Sequence, residues 1–362
     1  MLIIDSHCDT PTQIMRLRDL SIDNKRGQVD FPKLKKGGVS ASFFALYTSA
    51  SMQPDAATRY ALEMLAGIYD SVNENSDYVS LAYDSKDILE NYNLGKISIM
   101  IGMENGAPIQ HSLSLLRLFY KLGVRYMTLT HNGDNAIADA AAQGFKWGGL
   151  SPFGIEVVEQ MNRLGMLIDV AHSSDKTFWD CIKYSHSPIV STHSCCRALT
   201  SHRRNMTDEM IRAMADKGGV IQINFYPAFI SDTFAADLDK WEKLHPEAEK
   251  VEQDFIDDPG NSAKRRAWER LQDSMNLLKR PGVNEVVNHI VHAINVGGVD
   301  SVGIGSDFDG IDVTPIGLEN VSKIQAVFDE MNRRGYNDDV IEKVAGKNFL
   351  RVLTDVESLR QS

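Results

Sequence analysis

The chain has 362 residues, 43% of them hydrophobic and 24% charged, a composition that suits a packed core and excludes a disordered or fibrous protein. Its formal charge of −11, from 38 Lys and Arg against 49 Asp and Glu, repels phosphate backbones and anionic lipid, so neither nucleic acid nor membrane is an expected partner. The four cysteines (Cys8, Cys181, Cys195, Cys196) show no CxxC spacing, no basic leader precedes the short apolar start, and no run of about 20 apolar residues occurs, so the chain reads as soluble, cytoplasmic and free of disulfides.

Eight short apolar or β-branched runs follow one another: LIIDSH (2–7), VSASFFALY (39–47), ISIMIGME (97–104), VRYMTLTH (124–131), MLIDVAH (166–172), PIVSTH (188–193), VIQINFY (220–226) and SVGIGSD (301–307). Near-continuous hydrophobic runs suit strands covered on both faces, as in parallel sheets. Between them lie amphipathic segments such as SLSLLRLFYKLG, SPFGIEVVEQMNRLG and TDEMIRAMADKG, each ending at a Gly that suits a helix C-terminus. Eight such β-plus-α units predict an α/β fold, a single (β/α)8 TIM-type barrel over residues 1–362, with a doubly wound open sheet as the rival. Residues 227–281 break the rhythm. They are charge-rich and dotted with Trp, too long for a loop and too regular for a linker, which predicts a helical insertion after the seventh strand. Its charge runs read as a solvated face, or alternatively as a lid or subunit contact.

Polar residues gather where these runs end. His7 and Asp9 close the first, Glu104 the third, His131 the fourth, His172 the fifth, His193 the sixth and Asp307 the eighth. Strands of a barrel all point the same way, so these side chains are expected to converge on the C-terminal rim. One His after an apolar run is usually structural; the repetition is what carries the signal. His172 and His193 stand 21 residues apart, the spacing of consecutive βα units. Imidazoles with carboxylates suit Zn²⁺, and a Glu between two half-sites could bridge two ions through its two oxygens. HExxH, a Ser nucleophile elbow and a P-loop are missing, and DFDG matches neither a kinase nor an EF-hand pattern. Cys8, between His7 and Asp9, is expected to point away from them by strand alternation.

The segments IIDSHCDTP, GMENG, YMTLTHNGDNAIAD, LIDVAHSSDKTFWD, PIVSTHSCCRAL, HRRNMTDEMI, GGVIQINFYPAF and VGIGSDFDG, in this order over nearly the whole chain, resemble the membrane (renal) dipeptidase family of binuclear zinc peptidases. The resemblance implies a barrel of amidohydrolase type that cleaves dipeptides, including those with a C-terminal D-residue, through a hydroxide shared by two Zn²⁺ per chain. It implies that His7 and Asp9 bind one zinc, that His172 and His193 bind the other, and that Glu104 bridges them. His131 would contact the substrate and the reaction centre, Arg204 would hold the substrate α-carboxylate, and Asp307 would bind the amine and handle protons. Tyr226 is read as a further substrate contact, and the protein as a homodimer. Without a secretory signal, lipid-anchor tail or disulfide pattern, the chain is most similar to the soluble bacterial branch of that family. Three alternatives are a surface role for Arg204 in the basic pair Arg203-Arg204, action on another amide such as a cyclic amide or N-acyl-D-amino acid, and a non-catalytic barrel.

Overall fold

Among the described residues of the computed structural model, 1–143 and 145–361, nine parallel strands make one sheet. They are β1 (Ile4–Cys8), β2 (Ala41–Tyr47), β3 (Val79–Leu81), β4 (Ile97–Glu104), β5 (Val124–Thr128), β6 (Leu167–Asp169), β7 (Ile189–Ser194), β8 (Val220–Ile223) and β9 (Val302–Ile304). Each of the eight expected runs contains one strand. The additional strand, β3, pairs only with β4, along Ile97–Ile99, below the point where β5 takes over that edge at Ile101. Its three residues are too few to stand out as an apolar run.

The other eight strands pair in the order β1-β2-β4-β5-β6-β7-β8-β9. Just beyond β9 the sheet returns to β1: Asp9 N–H donates to the Phe308 carbonyl (2.9 Å) and Asp307 N–H to that of His7 (3.0 Å). The Ser6 hydroxyl, also from β1, reaches the carbonyls of Thr192 and Ile304. This makes a nearly closed (β/α)8 barrel and excludes the open-sheet rival.

Alternate strand residues fill the barrel. Ile4, Phe43, Met100, Tyr126, Leu167, Val190 and Val220 meet inside it, where Phe349, Val352 and Leu353 of the helix Asn348–Ser358 join them. That helix plugs the N-terminal end, so the interior is core rather than pore. On β4 the inward positions run Met100, Gly102, Glu104. A Cβ at Gly102 would lie 2.0 Å from Cζ of Tyr126, so only glycine leaves room for that ring. The outward residues, among them Phe44, Ile99, Ile101, Met127 and Ile304, pack under the surrounding helices. The three expected helices form as Leu113–Lys121, Pro152–Leu164 and Asp208–Asp216. Ser112, Ser151 and Thr207 cap them by accepting a backbone N–H in the first turn.

After β8 come four helices, Pro227–Ile230, Asp232–Leu244, Ala248–Asp257 and Ser262–Met275, before the chain resumes at Val283–Gly297. They have a small core of their own, in which Phe234, Leu238, Trp241, Phe255 and Trp268 pack with Val313. All four cysteines are free and buried. Cys8 faces outward, its Sγ 3.4 Å from the Ser42 hydroxyl and the Phe43 carbonyl.

Candidate metal centre

Glu104, the last residue of β4, stands at the middle of the rim and divides its two oxygens between two groups. Its Oε2 lies 3.6 Å from His7 Nε2, which is 3.5 Å from Asp9 Oδ2. Its Oε1 lies 3.0 Å from His172 Nε2 and 3.4 Å from His193 Nε2. His131 joins Glu104 and His172 in one metal-sized cluster, and Asp307 joins His7 and Asp9 in another, with His7 Nε2 and Asp307 Oδ1 4.0 Å apart. All seven residues expected at the rim are thus together.

Four of them reach it from loops rather than strands, Asp9 directly after β1. His131, His172 and Asp307 each stand three residues past the last strand residue. His172 and Asp307 adopt φ of 63° and 62°, a region that costs a non-glycine residue free energy and is held only by its surroundings. The His172 carbonyl is fixed by the Thr130 hydroxyl (3.1 Å) and the Ala141 N–H (2.8 Å). Asp307 accepts from Asn224 Nδ2 at 2.8 Å. Gly310 lets the two acids converge, because a Cβ there would sit 2.0 Å from Asp9 Oδ2 and 2.7 Å from Asp307 Oδ1.

The second nitrogen of His7, His172 and His193 is occupied. Nδ1 of His172 meets Asn132 Oδ1 at 3.0 Å, that of His193 meets the Thr192 hydroxyl at 2.9 Å, and that of His7 meets the Tyr126 hydroxyl at 2.8 Å. The Nε2 atoms are therefore the ones turned to the rim. Those of His7 and His193, with Asp9 Oδ1, are buried without a hydrogen-bond partner. Buried polar atoms left unpaired cost about 1–3 kcal/mol each, and cations coordinated by them would remove that cost. The donor set, imidazole with carboxylate, fits Zn²⁺ or a similar divalent ion.

Burial alone would raise Glu104, but the three histidines outweigh it and hold its carboxyl well below the usual range. Burial drives His131 down to about 4, so its ring is neutral. That ring packs edge-on against Tyr47 and 4.2 Å from the ring of His172.

The cluster opens into a cleft of about 990 Å³. Arg204 and Tyr226 line it, as do Arg16, Glu252, Phe255 and Trp268. Arg204 is only 6% exposed, and burial lowers its pKa to about 10. Its guanidinium donates to the His193 carbonyl (3.2 Å), reaches the Ser194 hydroxyl (3.5 Å), and leaves Nε buried with no partner. A surface role is excluded. Tyr226 packs edge-on against Phe229, over which Arg204 also lies.

Sequence reasoning passed over Tyr47, although it closes the second run as Glu104 closes the third. It also passed over Asp169, Thr192, Asn132 and Tyr126. Their roles depend on which neighbour each meets across the rim, and that is not written in any one segment.

A closed parallel barrel whose C-terminal rim gathers histidines and carboxylates around unpaired buried atoms is the architecture of a metal-dependent hydrolase. Comparison narrows that class. The model of the membrane dipeptidase family, peptidase family M19, matches residues 1–362, and the chain belongs to that family. Two uncharacterized dipeptidases of Schizosaccharomyces pombe are each 32% identical to it, over 99% and 98% of this chain and 82% and 80% of theirs. Among solved structures, the probable dipeptidase PvdM from Pseudomonas aeruginosa is similar at 28% identity and a TM-score of 0.85, covering 99% of this chain and 96% of that one. A metallo peptidase from Rhodobacter sphaeroides, liganded with a phosphinate mimic of the dipeptide L-Ala-D-Ala, shares the fold at 23% identity and a TM-score of 0.80, over 98% and 99% of the two chains. The protein is an enzyme, a dipeptidase of this metallopeptidase family. Despite the family's name, no helix among the described residues is long and apolar enough to cross a membrane.

Proposed function

We propose that this dipeptidase hydrolyses free dipeptides, including those with a C-terminal D-residue, at a centre for two Zn²⁺. His7 and Asp9 would hold one ion and His172 and His193 the other, with Glu104 shared between them. The observation that carries this reading is the division of Glu104, with one oxygen toward His7 and the other toward His172 and His193. Two such ions would supply Lewis acidity and bring the pKa of a bound water down toward ~7.

The chain's own groups do the rest. Arg204, buried and without a carboxylate partner, receives the α-carboxylate of the dipeptide, where its planar fork can pair bidentately. Asp307 faces His7 with one oxygen and keeps the other on Asn224, so it can receive the substrate amine and carry a proton to the leaving nitrogen. His131, neutral and next to His172, donates a hydrogen bond to the carbonyl oxygen as negative charge develops there. Tyr226, which lines the cleft, is a further substrate contact. A free carboxylate at one end and a free amine at the other favour a zwitterionic dipeptide over a cyclic amide or an N-acylated amino acid. The four free, buried thiols support a reducing, cytoplasmic setting.

The test compares kcat/KM for a dipeptide and for its C-terminal amide. Wild type should prefer the free acid. Arg204→Ala should lose about 30-fold or more on it, because a buried charge pair left half-made costs roughly 2–5 kcal/mol, and should no longer discriminate between the two substrates. Equal cleavage of both by wild type would remove the carboxylate clamp and leave a general amidohydrolase.

A further inference from the structure

Asp169 ends β6 and is fully buried, and none of the groups that bond its carboxylate belongs to a proposed metal ligand. Its carboxylate is saturated by four donors. Oδ1 accepts from the N–H groups of Ala171 (3.0 Å) and Thr192 (2.9 Å), and Oδ2 from the hydroxyls of Thr128 (2.5 Å) and Thr192 (2.6 Å). The Thr192 hydroxyl has one hydrogen, and Asp169 takes it. What that oxygen offers His193 Nδ1, 2.9 Å away, is therefore a lone pair.

We infer that Asp169, acting through Thr192, is a positioning device for the metal centre. It locks His193 into the tautomer with its proton on Nδ1, so that Nε2 always presents a lone pair to the rim. His172 is locked in the same sense by the Asn132 side-chain oxygen, which can only accept. His7 differs, because the Tyr126 hydroxyl beside its Nδ1 can donate as well as accept. The two halves of the centre are thus unequally prepared: the His172 and His193 half waits in ligating form, and the His7 half settles only when a cation arrives. The relay also ties the rim ends of β5, β6 and β7 to one carboxylate, so aligning His193 and joining three strands are a single construction.

This rests on the binuclear reading of the rim, and the experiment separates the two. Thr192→Val removes the hydroxyl and keeps the shape; Thr192→Ser restores it. Metal affinity is measured by competition with a chelator, and the His193 tautomer by nitrogen-15 NMR on metal-free protein, with a thermal melt as the check on folding. Thr192→Val should weaken one of the two bound metals by about 10–100-fold, while Thr192→Ser stays within about threefold of wild type. The metal-free spectrum should show His193 protonated on Nδ1 in wild type and Ser, and no longer uniformly so in Val. Asp169→Asn, where it folds, should follow Val. A Val variant with wild-type affinity and an unchanged Nδ1–H signal overturns the inference. A wild type that binds no divalent metal overturns the binuclear reading, and the tautomer signal then decides the inference alone.

Discussion

At the barrel rim the side chains of the candidate metal centre are buried or nearly so, and four of the seven are aimed by a second group: His7 by Tyr126, His172 by Asn132, His193 by Thr192, Asp307 by Asn224. The helical cover between Asp232 and Met275 is joined to the barrel differently. Arg16 reaches Glu252 at 3.4 Å and lies over the ring of Phe255 at 5.7 Å, and Arg26 meets Asp273 at 2.7 Å with both partners half-exposed. Arg265 covers the same Phe255 ring. A solvent-exposed ion pair such as Arg26–Asp273 contributes about 0–1 kcal/mol, so these polar links hold the cover less firmly than the buried hydrogen bonds hold the rim. The division assigns chemistry to the barrel and the shape of the cleft to the cover, and it can be broken from either side.

The largest effect is expected at Glu104. Glu104→Gln keeps the volume but removes the charge between the two half-sites, so both metals should be lost together, and with them activity on the order of 1000-fold or more. Metal analysis of the purified variant checks this, and loss of only one metal would count against bridging. Next comes Asp307→Asn. It should lower kcat by roughly 100-fold or more with metal content unchanged, since an amide cannot carry the proton. Single-turnover rates measured beside metal analysis separate that effect from a damaged centre. The smallest effect belongs to the cover. Phe255→Ala removes two cation–aromatic contacts of about 0.5–1 kcal/mol each and should raise KM by up to about 10-fold, unevenly across a dipeptide panel, with kcat and metal content near wild type. A Phe255 variant that loses metal would show that the cover helps build the centre, and the division would fall.

The barrel was legible because each of its eight strands falls on a short, mostly apolar or β-branched run, a pattern that survives without knowledge of any partner. The rim was legible for a related reason: Glu104 and His193 are strand residues, so a rule about strand ends finds them. His131, His172 and Asp307 were found by the same rule although they lie on loops, and what brings the last two to the rim is a left-handed backbone that nothing in DVAHSS or GSDFDG announces. The aiming groups were out of reach. Thr192 and Asp169 read as ordinary residues of apolar runs until β6 and β7 stand side by side. The insertion was visible in composition, but its small core around Trp241 and Phe255 depends on how four helices fold back together.

The seam between β1 and the segment after β9 has a consequence for the order of events during synthesis. His7 and Asp9 leave the ribosome long before their neighbours Asp307 and Phe308. Until the last strand arrives, the first has no partner on its open side, and loop-closure entropy over almost the entire chain stands against the pairing. A nascent chain made only as far as His193 has all five proposed ligands but lacks Asp307 and the seam that fixes His7 and Asp9 on their open side. Metal loading should be a late event that follows closure of the barrel.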